Sequence, residues 1–190
     1  MSNWGEELDR AVDVLRNGGS LLYPTDTIWG LGCDATNKKA VKKLHKIKKR
    51  SDQKSFIILL EDAYRLKDYL EEVPLIATEL MAQITSPLTI VYPGARNLAK
   101  NVISEDGSIG IRIPHDGFVK ELLEAFGKPI VSTSANLSGD PPPQSFREIH
   151  PDIIAGVDYT VNMYRDRIKE TKPSTIIRIL EKGGYEILRR

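Results

Sequence analysis

Apolar residues recur at Trp4, Leu8, Ala11, Val12 and Leu15, and Asn17-Gly18-Gly19 follows. This spacing predicts an amphipathic helix with a glycine stop. Ser20 to Tyr23 reads as a buried strand, and Trp29, Leu31 and Cys33 alternate with Gly30 and Gly32 in a second extended stretch. Asn37 is placed to cap a further helix whose inner face is Val41, Leu44 and Ile47, with its lysines turned to water. Ser55 to Leu60 predicts a central strand, and Asp62 to Leu70 and Pro74 to Ile84 two short helices.

The second half continues with a strand at Leu88 to Tyr92, ended by Pro93-Gly94. Ile109, Ile111 and Ile113 alternate with Gly110 and Arg112, the period of a strand with one apolar face. Asp116 to Phe126 predicts a helix closed by Gly127, and Pro129 to Thr133 another strand. Ser132 to Pro143 is too polar and proline-rich for a core and reads as a loop leaving a strand end. A helical piece near Phe146 to Ala155 precedes strands at Tyr159 to Asn162, Ser174 to Ile179 and Tyr185 to Leu188. Strands and helices interleave without strict alternation, which predicts an α/β (α+β) fold: a twisted mixed β-sheet flanked by helices. Without a repeat or a linker, residues 1–190 are expected to form a single domain.

Composition narrows the class. With 41% hydrophobic and 28% charged residues, the chain is neither disordered nor fibrous. Its longest wholly apolar run, Phe56 to Leu60, is far short of the roughly 20 residues of a membrane span. The start Met1-Ser2-Asn3-Trp4-Gly5 lacks a secretory pattern, so a cytoplasmic location without membrane association is expected. Cys33 is the one cysteine and forms no intrachain disulfide, in keeping with a reducing compartment. The net charge of +1 hides an asymmetry. Lys38 to Arg50 holds eight basic residues and no acids, so the remaining chain has 19 basic residues against 26 acidic ones, a charge of −7. Such a segment is either a solvated helix face or a site for phosphates or RNA.

Several short motifs fail on context. Gly30-Leu31-Gly32-Cys33-Asp34-Ala35 satisfies a dinucleotide fingerprint, but the next helix signal begins too late and strand periodicity runs through the glycines. Close backbone approach explains them better. Ser51-Asp52-Gln53-Lys54 and Ser134-Ala135-Asn136 resemble two signatures of penicillin-binding enzymes, yet the required K-T-G is missing. Cys33, His45, His115 and His150 lack metal-ligand spacing and read as a buried thiol with surface histidines, so no protein metal site is expected. What remains is a set of polar groups at strand ends: Thr25-Asp26-Thr27, Lys48-Lys49-Arg50, Arg112, Ser132 to Asn136 and Ser174-Thr175. Hydroxyls, an amide and cations suit the holding of a triphosphate and a small polar substrate.

These residues occur in an order that resembles a known family. Tyr23-Pro24-Thr25-Asp26-Thr27-Ile28-Trp29-Gly30-Leu31-Gly32-Cys33-Asp34-Ala35, Lys48-x-Arg50, Ile109 to Pro114, Val131 to Gly139 and Ser174-Thr175-Ile176 are similar to the YrdC family, the threonylcarbamoyl-adenylate synthases. The resemblance implies a concave, positively lined cavity on the twisted sheet. It also implies formation of threonylcarbamoyl-AMP and pyrophosphate from L-threonine, bicarbonate and ATP, the first step of threonylcarbamoyladenosine formation on tRNA. The family's signature falls on Lys48, Arg50, Ser134 and Asn136. Lys48 and Arg50 are expected at the phosphates, with Mg²⁺ arriving with ATP, and Ser134 and Asn136 at nucleotide and carbamate oxygens. Thr25, Ser132 and Ser174 are candidates for the threonine side, Arg112 for the cavity floor and Arg189 for the nucleotide, with Lys54 and Thr89 as further candidates. The family's usual prolines are replaced by Ser51 and Ser55, and its P-G-P-x-T segment appears as Thr85-Ser86-Pro87-Leu88-Thr89. Expected partners are double-stranded RNA or tRNA and downstream threonylcarbamoyl-transfer proteins. The alternatives are an RNA-binding module with a vestigial cavity, and a paralogous family member without synthase activity.

Overall fold

The computed structural model describes residues 4–49, 56–115, 117–166, 174–180 and 183–189. Helix α1, Trp4–Arg16, buries Ala11, Val12 and Leu15, the stripe that its spacing predicts. Strands β1 (Ser20–Pro24) and β2 (Trp29–Asp34) form an antiparallel hairpin. Helix α2, Lys38–Ile47, starts at Asn37, whose Oδ1 accepts from Lys39 N and Ala40 N at 3.0 and 3.2 Å, a cap that contributes about 1 kcal/mol. Then come β3 (Ile57–Leu59), α3 (Leu66–Tyr69), α4 (Leu75–Gln83), β4 (Leu88–Tyr92), β5 (Ile109–Arg112), α5 (Phe118–Phe126) and β6 (Ile130–Ser134). The chain closes with α6 (Pro151–Gly156), β7 (Tyr159–Thr160), β8 (Thr175–Ile179) and β9 (Tyr185–Arg189).

The nine strands among the described residues join one mixed sheet in the order β7-β1-β2-β6-β3-β5-β4-β8-β9. The pairs β1/β7, β3/β5 and β4/β8 are parallel and the others antiparallel. Residues standing opposite one another in a sheet share a face. Leu31, Cys33, Val131, Ile58, Ile111, Ile90 and Ile177 therefore line one face, which is buried in the larger hydrophobic core with α2. On the other face, Leu21, Tyr23, Leu59 and Ile130 form a second core under α1 and α5. The rest of that face carries mainly small or polar residues in register, with Ile57 and Ile176 between them. Gly32 faces Ser132, which faces Ile57, which faces Gly110; Gly30 faces Ser134; Arg112 faces Thr89, then Ile176, then Arg189. The glycines and short hydroxyl side chains among them leave the sheet surface open where the helices stop.

Several expectations are corrected. Strand β2 does run through Gly30 and Gly32, but β3 is shorter than expected, and Ser55 lies outside the described residues. The segment expected to be one helix over 62–70 is a 3-10 turn, Ala63–Arg65, followed by α3. The piece expected over 146–155 divides into a 3-10 turn, Phe146–Glu148, and α6, because the residue before Pro151 is kept extended by its ring. The Ser132 to Pro143 segment is not all loop: Ser132, Thr133 and Ser134 belong to β6, and Ala135 is fully buried. His45 is not a surface histidine. It is 1% exposed, its ring lying 4.3 Å from that of Phe56. Lys48, expected to face water with the other lysines, is 3% exposed.

Candidate functional site

The open part of the second sheet face forms a cavity of about 340 Å³. Thr25, Asp26 and Thr27 supply one wall from the β1–β2 loop, and Ser132 and Ser134 enter from the end of β6. Thr89, Arg112 and Arg189 supply the far side from β4, β5 and β9, with Ser174 from the position before β8. Seven sequence candidates are thus gathered in one cavity: Thr25, Thr89, Arg112, Ser132, Ser134, Ser174 and Arg189. Arg50 and Lys54 lie outside the described residues.

Lys48 and Asn136 stand behind the cavity wall. The Lys48 ammonium donates to Ser134 O at 2.6 Å, to Asn136 O at 2.8 Å and, at the long limit, to Asn136 Oδ1 at 3.4 Å. Ser134 Oγ donates to Asn136 Oδ1, and Asn136 Nδ2 donates to Leu137 O at 3.0 Å and Asp140 O at 2.6 Å. A buried cation therefore pins the turn that leaves β6, and with it the Ser134 hydroxyl.

On the cavity floor, Arg112 is 7% exposed and donates through one nitrogen to Asp26 Oδ2 and through the other to Thr27 Oγ1 at 3.2 Å. A guanidinium this buried needs such a counter-charge. Thr25 Oγ1 donates to Ile28 O at 2.6 Å and accepts from Thr27 N at 3.0 Å, which holds the loop against Arg112. Across the cavity, Arg189 donates to Ser174 O at 2.9 and 3.1 Å, and the Ser174 and Thr89 hydroxyls are 2.9 Å apart. Burial and the neighbouring positive Arg112 both lower the Arg189 pKa, so the two guanidiniums repel each other across a space that an anion would stabilise.

Among the described residues, none of the cavity serines stands against a base. The side-chain partner of Ser132 is Tyr23, that of Ser134 is Asn136, and those of Ser174 are Thr89 and Arg189. Among the described residues the arrangement offers cations and hydroxyls suited to charged oxygens, and no activated nucleophile. Among the described residues no three His, Cys, Asp or Glu side chains gather as a metal site. Asp26, the one acid among the described lining residues, is engaged by Arg112. Sequence reasoning noted Asp26 and Thr27 but gave neither a role, and it passed over Tyr23. The need of Arg112 for a counter-ion was the signal for Asp26, visible once Arg112 is known to be buried.

Comparison with known proteins adds a second line. Residues 13–190 match the model of the Sua5/YciO/YrdC family, described as telomere recombination. A threonylcarbamoyl-AMP synthase of Xanthomonas euvesicatoria pv. vesicatoria (strain 85-10) is 35% identical over 159 residues, 82% of this chain and 85% of that protein. The threonylcarbamoyl-AMP synthase of Xanthomonas campestris pv. campestris (strain B100) is 36% identical over 155 residues, 80% of this chain and 83% of that one. Among solved structures, P. abyssi Sua5 complexed with L-threonine superposes with a TM-score of 0.85 at 25% identity, over 100% of this chain and 55% of that one. E. coli YciO superposes with a TM-score of 0.84 at 26% identity, over 100% of this chain and 91% of that one. The chain spans about half the length of the P. abyssi Sua5 chain.

Proposed function

Since the chain belongs to the Sua5/YciO/YrdC family, we propose that it is a threonylcarbamoyl-AMP synthase, acting on L-threonine, bicarbonate and MgATP. The observation that carries this reading is the cavity with two guanidiniums and a ring of hydroxyls but no nucleophile–base pair among its described residues. That inventory suits a reaction run by positioning and charge stabilisation. The threonine amine adds to the carbon of bicarbonate, water leaves, and a carbamate forms. A carbamate oxygen then bonds to the α-phosphorus as the bond to the leaving pyrophosphate breaks.

In this scheme Arg112 and the Ser132 and Ser174 hydroxyls hold threonine, Thr25 and Thr89 brace them, and Arg189 reaches toward the nucleotide. The family pattern assigns Ser134 and Asn136 to the nucleotide and carbamate side, with Asn136 holding the Ser134 hydroxyl from behind the cavity wall. Arg50 is assigned by the family pattern to the phosphate side, and Lys54 is a further candidate for substrate binding. Lys48 joins Arg50 by exchanging its long bond to Asn136 Oδ1 for a phosphate oxygen. Mg²⁺ enters on the phosphates, which supply the oxygen ligands it prefers.

The product serves threonylcarbamoyl transfer to tRNA by downstream proteins in the cytoplasm. Among the described residues no helix is long and apolar enough to cross a membrane. An RNA-binding module without catalysis has less support, because Lys43 and Lys49 of the basic segment are paired with Asp158 and Asp152 at 2.5 and 2.8 Å. The test is pyrophosphate release from MgATP with each co-substrate withheld in turn. Release is expected only with both L-threonine and bicarbonate present. Release that is indifferent to either one would leave a pyrophosphohydrolase and overturn the synthase reading.

A further inference from the structure

The Gly30-Leu31-Gly32 motif, which fits no dinucleotide site, has a different use. Tyr23 lies on β1, and its hydroxyl donates at 3.1 Å to Ser132 Oγ on β6, two strands away. The ring crosses the intervening β2 over the two glycines. A Cβ at Gly32 would stand 2.8 Å from the Tyr23 Cε1 and 2.5 Å from Val131 O, and one at Gly30 would stand 3.3 Å from the ring Cζ. The glycines are thus a slot for a tyrosine ring.

What the ring delivers is a direction of hydrogen bonding. Tyr23 is fully buried, and Ser132 Oγ is its hydrogen-bond partner among the described residues. Were Ser132 the donor, the phenol proton would be buried without an acceptor, at a cost larger than the bond is worth. A phenol is also the stronger donor of the two. Burial raises the Tyr23 pKa well above the ordinary phenol value despite the opposing hydrogen bond to Ser132, so the proton stays in place at any working pH. The Ser132 proton must then point elsewhere, and Ser132 lines the cavity. Two neighbouring hydroxyls are set the opposite way. Ser134 gives its proton to Asn136 Oδ1 and Thr25 gives its own to Ile28 O, so each meets a ligand as an acceptor.

We infer that Tyr23 is a positioning residue that fixes Ser132 as a donor, and that this donor reads a carboxylate oxygen of the amino-acid substrate. A carboxylate only accepts and an ammonium only donates, so the polarity at Ser132 orients the substrate with its carboxylate there and its amine free to react. The inference rests on the synthase reading and adds to it the origin of substrate orientation.

The test is steady-state pyrophosphate release by Tyr23→Phe, Ser132→Ala and the double variant, with thermal melts of each. Tyr23→Phe keeps the ring in its slot and removes only the donor. It is expected to raise the threonine KM roughly threefold to tenfold with a smaller change in kcat, the loss of one neutral hydrogen bond. Ser132→Ala should raise KM at least as far, Ser132→Thr should restore it, and the double variant should be no worse than Ser132→Ala alone. Effects of the two single changes that multiply in the double variant would mean independent damage to packing and would overturn the inference. An unchanged KM in Tyr23→Phe, with the unmutated protein active, would overturn it while leaving the synthase reading intact. Loss of threonine-dependent release in the unmutated protein would overturn both.

Discussion

Lys48 follows Val41 by seven residues and Leu44 by four, so the helical period that buries those two carries it to the same inner face. Its position was therefore legible in the spacing, although a lysine among lysines invites the opposite reading. Lys48→Met keeps the stem and removes the donors, leaving the carbonyls of Ser134 and Asn136 without their cation. We expect it to lower stability in urea unfolding by about 1.5–3 kcal/mol and to depress turnover as the Ser134 turn loosens. An unchanged unfolding midpoint would show that water satisfies those carbonyls. The Asp26–Arg112 pair was not legible, since its partners are 86 positions apart and no local pattern joins them. Substrate choice also belongs to single residues. A pocket that buries the threonine methyl rejects serine by about 10–200-fold, whereas hydroxyl partners left unpaired by valine reject it by on the order of 10⁴. Competition kinetics should rank threonine, serine, then valine; valine ahead of serine would mean that the cavity reads shape alone.

Among the elements, strands with a strict period were read well and segments governed by neighbours were not. The alternation of Ile109, Ile111 and Ile113 with Gly110 and Arg112 predicted a strand with one apolar face, and the structure turns Ile109 and Ile111 to the core and Arg112 to the cavity. The division of the 146–155 segment depends on Pro151 acting on the residue before it, a local effect that helical periodicity does not register. One side chain joins three elements. Asp158, just before β7, accepts from Ser20 N at 2.7 Å and Ser20 Oγ at 2.9 Å at the start of β1, and from Lys43 of α2 at 2.5 Å. Burial alone would raise its pKa, but the hydrogen bonds from Lys43 and Ser20 outweigh it and hold the carboxyl below its ordinary value. A depressed pKa contributes stability above the unfolded value of about 3.9, and that contribution is lost as pH falls through the folded value. Asp158→Asn should narrow the stability difference between pH 6 and pH 3, measured by urea unfolding, with a modest effect at high salt because the pair is partly exposed. Equal acid sensitivity in both proteins would assign the acid response to other carboxyls.

For the whole molecule, the fold class was legible from the interleaving of periods, but the strand order was not. Placing β6 between β2 and β3, and β8 beside β4, requires contacts between distant segments that no window of sequence contains. The cavity inherits this non-locality, while the basic segment is local, and apart from the buried Lys48 its described lysines lie on the outer side of α2. Lys38 and Lys42 are exposed and do not line the cavity. Changing both to alanine should leave pyrophosphate release nearly intact and weaken any RNA binding, with a shallower salt dependence. Loss of release in that variant would place the phosphate site on the outer helix face instead. The distance along the chain between the cavity walls also bears on biosynthesis. Thr25 enters within the first thirty residues and Arg189 with the last strand, so a ribosome must have delivered residue 189 through its exit tunnel before both walls can stand. A nascent chain stalled after Gly184 has Arg112 and Ser174 in its sequence but not the guanidinium that holds the Ser174 carbonyl, so its cavity lacks one wall.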